Sequence, residues 1–431
     1  MDHAFPITDE PPDGPALATA RPGPAAAATQ APERAAPERA APEHAAPERA
    51  APEHAGAEGR GRDLRRVRCH PDHWYPVAWS RELKPGGVLG VRYAGEPIVL
   101  VRPKQGAVYA LEDRCAHRQV PLSKGSVDGQ AVRCCYHGWA YGRSGACVDV
   151  PYIGRDKLPN GVRSYPCQEV GGLIMVFPGD ASRAPGTPVP SFGASADPAY
   201  KTRRFGRVVG CHYSFMHENL MDMNHQFMHA RQMGQMRPRF LGQDRGEDWI
   251  EARYSFARTG GKQPLGEALI FGERRGTEKK HADRDVMTIR TEYPYQTLRI
   301  RTKDATPVMD LWIAYTPQDE EQRSNRTFGL LSVRKPKIPG LLAAAWPLLV
   351  LFTERIFRED RDIVEIEQAA HDAQGEDRNQ EVFPVIRNLR GLLATCGIQA
   401  GGIQAGGTQA AGIDPGGTSE PTCRKLVDGA A

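Results

Sequence analysis

No basic start followed by an apolar core opens the 431-residue chain. Its first residues (MDHAFPITDEPPDG) carry acids and prolines instead, so a cleaved secretory leader is not expected. No apolar run is long enough for a bilayer span. LLAAAWPLLVLF, residues 341–352, falls short of the roughly 20 residues required, and Pro347 interrupts it. It reads as a buried helix start or core segment; the alternatives are an apolar wall or lid over a pocket, and a membrane anchor. Charge of one sign is missing too. The net charge is +4 with 25% charged residues, which points away from nucleic acid or an anionic membrane as the main partner. Nine scattered cysteines make a disulfide framework improbable and a reducing, cytoplasmic setting the expectation. No G-x-G-x-x-G motif follows a strand and opens a helix, so a dinucleotide or flavin fingerprint is absent.

What is present divides the chain into four parts. Residues 1–62 are expected to form a disordered tail: from Ala31 a five-residue unit (APERA, APEHA) repeats, with a proline in every copy and little to bury. Residues 63–180 carry short apolar runs between turns, such as GGVLGVRYAGEPIVLVRP and GLIMVFPG, which reads as a small all-β domain. Residues 181–395 mix signals: a helix over 214–232, strands over 249–257, 286–302 and 308–334, and a helix over 352–371. Residues 396–431, with GIQAGGIQAGGTQAAG, are expected to be a disordered Gly-rich tail.

The strongest chemical signal is C-x-H-x16-C-x2-H, formed by Cys115, His117, Cys134 and His137. Two thiolates and two imidazoles on paired loops are the ligand set of a Rieske [2Fe–2S] centre, with the cysteines on one iron and the histidines on the other. Cys135 competes with Cys134, but the C-x2-H spacing selects Cys134. Gly125, Gly129 and Gly138 would let backbone approach the cluster. Structural zinc also takes Cys2His2, although zinc fingers pair two cysteines and then two histidines on separate elements.

A second constellation lies in ENLMDMNHQFMH, residues 218–229. On a helix Asp222, His225 and His229 share a face, and His225 and His229 at i, i+4 can chelate one metal ion. A carboxylate would complete the facial triad of non-haem Fe(II) oxygenases. FREDRDIVEIEQ offers Asp360 first, then Asp362, then Glu359. His212 and His217 read as packing or hydrogen-bonding residues. The basic run KTRRFGR (201–207) reads as a solvated face, with docking of an acidic ferredoxin as the alternative.

Together these motifs resemble the oxygenase (alpha) component of Rieske non-haem iron oxygenases, over roughly residues 70–385. The resemblance runs from HWYPVAWSREL through CAHR and CCYHGWAYGRSGAC to REDRDIVEIEQ. It implies an α+β protein: an N-terminal Rieske domain, then a helix-grip (START-like) catalytic domain with a curved antiparallel sheet. It also implies a [2Fe–2S] cluster, a mononuclear Fe(II), and electrons from a separate ferredoxin or NAD(P)H-dependent reductase. The expected assembly is a homotrimer, in which Asp222 would bridge His137 of one subunit and His225 of the next. Many members carry H-x4-H where this chain has H-x3-H. The expected reaction is hydroxylation or oxidative demethylation of a hydrophobic aromatic, terpenoid or steroid-like molecule with O2. Ring cis-dihydroxylation and a pure electron carrier are the alternatives.

Overall fold

Short β-branched runs bounded by glycine and proline become strands throughout the first half. After β1 (Val67–Arg68) come β2 (Tyr75–Trp79), β3 (Gly87–Tyr93), β4 (Glu96–Arg102) and β5 (Tyr109–Glu112). Next are β6 (Ser126–Asp128), β7 (Ala131–Arg133), β8 (Ala140–Tyr141) and β9 (Cys147–Asp149), then β10 (Ser164–Tyr165), β11 (Cys167–Val170) and β12 (Leu173–Val176). Strands β2 to β12 make three small sheets, ordered β10-β5-β4-β3, β11-β12-β2 and β6-β7-β8-β9. The last is an out-and-back meander whose β7–β8 connection holds Cys134 and His137. The computed structural model describes residues 63–153, 161–260, 263, 286–302 and 306–399. These fall within one of the chain's two units, residues 61–431. The repeat tail expected over 1–62 and the Gly-rich tail beyond residue 399 lie outside the described residues.

The second half is built on one antiparallel sheet. Its strands are β13 (Tyr200–Phe205), β14 (Val208–Val209), β15 (Gln235–Arg245), β16 (Trp249–Gly260), β17 (Val286–Glu292), β18 (Tyr295–Arg301), β19 (Pro307–Pro317) and β20 (Asn325–Arg334). The order is β13-β20-β19-β18-β17-β16-β15, with β14 beside β20. The runs expected at 286–302 and 308–334 each resolve into an antiparallel pair, β17–β18 and β19–β20. Strand β19 shows why VMDLWIAYT is apolar on both faces. Leu311, Ile313 and Tyr315 join the core under the helices, while Trp312 and Ala314 join Trp74, Trp79 and Phe177 from the first half. The two halves therefore share buried surface, and Thr316 Oγ1 donates to the Pro76 carbonyl across it at 2.7 Å.

Among the described residues four helices accompany this sheet: α1 (Tyr213–Met221), α2 (Ala230–Met233), α3 (Leu341–Gln374) and α4 (Pro384–Cys396). α1 packs on β17 and β19, and α4 packs on β16 and α1. Three expectations change here. The helix expected over 214–232 is broken at Asp222. The helix expected to start at 352 starts at Leu341 and takes Pro347 in its second turn. The ends of the folded core also move: β1 pairs with β21 (Ile398–Gln399), and Arg65 ion-pairs with Glu218. Residues 63–68 thus pack with the catalytic half, and the chain beyond 396 still pairs through residue 399.

The 341–352 segment is half core and half surface. Leu342 and Leu349 bury against Val333 with Trp346 alongside, whereas Leu341, Leu348 and Leu351 stand exposed. None of its residues lines the cavity described below, so it is not the wall of that pocket. In the basic run, Arg203 and Arg207 are both ion-paired with Glu354 of α3, so part of it is structural.

Candidate metal centres

The first centre sits on two turns that buried cysteines close. Cys115 N donates to Val120 O at 2.9 Å, and Cys134 N donates to Trp139 O at 2.8 Å. Both cysteines are buried in the core of this half, among Val99, Leu111, Leu122 and Tyr141. Cys135 is exposed, so it is Cys134 that faces the same interior as Cys115. The rings of His117 and His137 stand 4.5 Å apart at the surface, and His117 stacks on Trp139 at 4.6 Å. Two inner thiols and two outer imidazoles on facing turns fit a cluster with one buried and one exposed iron. Of the three glycines grouped with these loops on sequence, Gly129 instead turns the β6–β7 hairpin. Gly138, at φ +73°, lies in the second loop.

Tyr141 completes this site. Its hydroxyl lies 3.2 Å from Cys115 Sγ and accepts from Ala116 N at 3.0 Å. With the sulfur as thiolate, the hydroxyl is the donor. Hydrogen bonds to sulfur raise cluster potentials because they stabilise the more negative reduced state. Tyr141→Phe is expected to lower the potential by about 50 mV, the electrochemical equivalent of one lost hydrogen bond. Voltammetry of the two proteins checks this, and an unchanged potential would remove Tyr141 from the site.

The second centre depends on the helix break. Asp222 has φ −86° and ψ 95°, ending α1 with its N–H on Glu218 O. Its carboxylate then caps a 3-10 turn, Met223–Phe227, by accepting from Asn224 N at 2.9 Å. Short acidic side chains favour this local bond over continued helix. Asp222, His225 and His229 therefore do not share one helical face. The turn still brings the two imidazole rings to 5.1 Å, nearly perpendicular.

Asp360, on α3, meets them. Its Oδ1 lies 3.2 Å from His229 Nε2 and 3.7 Å from His225 Nε2. One ligand atom from each of the three residues lies within 4.8 Å of the others. That carboxylate oxygen is buried without a hydrogen-bond donor in acceptable geometry. A buried carboxylate oxygen that faces two imidazole nitrogens fits a metal ion. The other ring nitrogens are spoken for. His229 Nδ1 bonds Glu359 Oε2 at 2.8 Å, and His225 Nδ1 bonds the main-chain carbonyl of Asp222. Each bond fixes the tautomer that leaves Nε2 free to ligate. Burial opposes protonation at both histidines. At His229 the facing Asp360 and Glu359 outweigh it and raise the pKa, while at His225 burial prevails and lowers it.

The remaining candidates sort by position. Asp362 is exposed and pairs with Arg361. Glu359, ranked third as a ligand on sequence, is the partner of His229 instead. The Asp222 carboxylate is on Asn224, so the contact to His225 comes from its carbonyl and not from its side chain. His212 caps α1 through Ser214, and His217 is fully buried, which pushes its pKa down to about 3. A cavity of about 60 Å3 opens beside Asp360. Phe205, Met216, Leu220, Leu311, Ile313 and Phe357 give it apolar walls, while Asn219, Tyr315 and Thr327 add polar groups. Sequence reasoning missed these walls, which come from five separate elements.

An all-β cluster domain followed by a helix-covered antiparallel sheet with a two-histidine, one-carboxylate site defines a class. Residues 73–166 match the Rieske [2Fe-2S] domain, and residues 209–385 match the vanillate O-demethylase oxygenase C-terminal domain. The chain belongs to the Rieske oxygenases of the demethylase and monooxygenase type, oxidoreductases that carry a [2Fe–2S] cluster and a mononuclear iron. It is similar to 4beta-methylsterol monooxygenase of Methylococcus capsulatus, 30% identical over 77% of this chain and 90% of the relative. Dicamba O-demethylase, oxygenase component, of Stenotrophomonas maltophilia is 39% identical over 36% of this chain and 46% of the relative. The crystal structure of dicamba monooxygenase bound to dicamba covers 75% of this chain and 97% of its own, at 26% identity and a TM-score of 0.59. No helix among the described residues is long and apolar enough to cross a membrane.

Proposed function

We propose that the chain adds one oxygen atom from O2 to an apolar polycyclic or aromatic substrate, by hydroxylation or oxidative demethylation. The observation that carries this reading is the convergence of His225, His229 and Asp360 at an apolar cavity. The 30% likeness to a protein named a methylsterol monooxygenase favours a sterol- or terpenoid-like skeleton.

In this reading Cys115, His117, Cys134 and His137 hold the cluster, and His225, His229 and Asp360 hold the iron. When bound, the cluster would supply one-electron transfer and the iron would supply O2 activation. The chain's own residues set the conditions. Glu359 and the Asp222 carbonyl hold the imidazoles in the ligating tautomer. Phe205, Leu311, Ile313 and Phe357 exclude water and seat the reacting carbon. Asn219 is the polar lining group placed to orient a substrate oxygen, since the Tyr315 hydroxyl donates to Gln296 Oε1 at 2.9 Å. Electrons come from a separate ferredoxin or NAD(P)H-dependent reductase in a reducing cytoplasm. A homotrimer would join two surfaces exposed on the single chain: the His117/His137 face with Tyr136, and Phe227 near His225. Asp222 Oδ1 is occupied by Asn224, whereas Oδ2 accepts nothing among the described residues. It is the atom available to a neighbouring His137.

Turnover under 18O2 with a reduced electron-transfer partner tests the reaction, using a methylsterol and an aromatic methyl ether as probes. One labelled atom per hydroxylated or demethylated product is expected. Two labelled atoms in a cis-diol would establish dihydroxylation instead, and a reducible cluster with no substrate-dependent O2 uptake would leave an electron carrier.

A further inference from the structure

The first three turns of α3 are apolar on the side that faces solvent. Leu341, Leu348 and Leu351 are 40%, 57% and 50% exposed, and Ala344 and Pro347 beside them are exposed too. At 3.6 residues per turn these five positions fall within an arc of about 120°, away from the buried row of Leu342, Ala345 and Leu349. A helix lying on a water-facing surface ordinarily carries polar residues there. Ile338, just before the helix, is 65% exposed.

Basic residues bracket this stripe. Lys335 and Lys337 precede it, and Arg355 and Arg358 continue the same arc beyond Leu351; all four are exposed. Lys337, Arg355 and Arg358 have no carboxylate partner among the described residues. An apolar helical face flanked at both ends by cations is the pattern of a segment that lies in a lipid headgroup layer, its leucines in the acyl boundary and its cations on anionic headgroups. The near-neutral net charge of the whole chain conceals this local asymmetry.

We propose that this face of α3, with Lys335 and Lys337, docks on the surface of an anionic lipid bilayer without spanning it. The position suits the enzyme, a point that rests on the apolar-substrate reading above. Glu354 and Phe357 line the cavity and lie three and six residues beyond Leu351, about 5 and 9 Å along the helix axis. A docked α3 sets the cavity one to two turns from the lipid, so an apolar substrate reaches it with little exposure to water.

Sedimentation of the full-length iron-loaded protein with phosphatidylcholine vesicles, with and without phosphatidylglycerol, tests the proposal. Wild type is expected to pellet with the anionic vesicles and weakly with the neutral ones. Leu348→Glu with Leu351→Glu should weaken binding at least about tenfold, and Lys335→Gln with Lys337→Gln about fivefold per lysine on anionic vesicles only. The visible spectrum of the cluster confirms that each variant is folded. Wild type that stays in the supernatant overturns the proposal, as does leucine-variant binding equal to wild type. A leucine variant that loses oligomer mass in sedimentation velocity, with no vesicle binding by wild type, makes the stripe a contact between copies of the chain. These measurements need no turnover, so a failed reaction assay leaves them readable.

Discussion

His225→Ala is expected to release the mononuclear iron and abolish turnover while leaving the cluster intact. Iron content should fall from about three to about two per chain, and sulfide should stay at about two. The EPR signal of the reduced cluster should be unchanged, because His225 lies on a different half of the fold from Cys115 and Cys134. The loss of activity should exceed the 10–100-fold that removing an orienting partner costs in metal sites, since a ligand itself is gone. Glu359→Gln gives that lesser effect. Its oxygen still accepts from His229 Nδ1 but carries no charge, so iron retention should weaken by about tenfold. Asp362→Asn is the control, because Asp362 is exposed and bound to Arg361. If Asp362→Asn lost iron and Asp360→Asn kept it, the carboxylate assignment would be wrong. Equal iron content in wild type and His225→Ala would remove the second centre altogether.

The gradation depends on a distinction that the sequence could not make. Glu359 and Asp360 are neighbours on one helix, so their side chains leave the axis about 100° apart. Either could serve as the third ligand until the tertiary position of α3 is known. Packing turns Asp360 toward both Nε2 atoms and Glu359 toward the Nδ1 of His229. The candidate cluster ligands could be picked out as a group because their identity and spacing lie within 23 residues of continuous chain. The histidine pair was legible too, but its local structure was misread. A period-based reading carries a helix through Asp222, whereas Asp222-Met-Asn is a capping sequence that starts a new turn. The cavity was the least legible part. Phe205, Leu311 and Phe357 come from β13, β19 and α3, and which face of each strand looks inward depends on register. The strand β19 gave no alternation to read, since it is covered on both sides.

A buried ion network, invisible in the sequence, carries the second large expectation. Arg65 has its side chain 3% exposed and lies 2.9 Å from Glu218. It also bonds Ser214 and stacks over Phe215 at 3.4 Å. Glu218 takes a second arginine, Arg390 of α4, which in turn holds Asp377. Four charges thus tie the segment before β1, helix α1 and helix α4 together. Glu218→Ala would leave Arg65 buried without its anion, at a cost on the order of 3–5 kcal/mol. Urea unfolding followed by tryptophan fluorescence measures this as a lower midpoint at unchanged slope. Arg65→Met on top of Glu218→Ala removes the stranded charge and should restore a large part of the loss, as buried pairs replaced on both sides do. Equal destabilisation in the single and double variants would mean that the cavity, and not the unpaired cation, sets the cost. The effect also reaches the iron. Glu218 is one turn before Asp222, and its carbonyl accepts the Asp222 N–H that ends α1. The break that aims His225 is therefore anchored by the network, and iron content of Glu218→Ala should fall at temperatures where the chain is still folded.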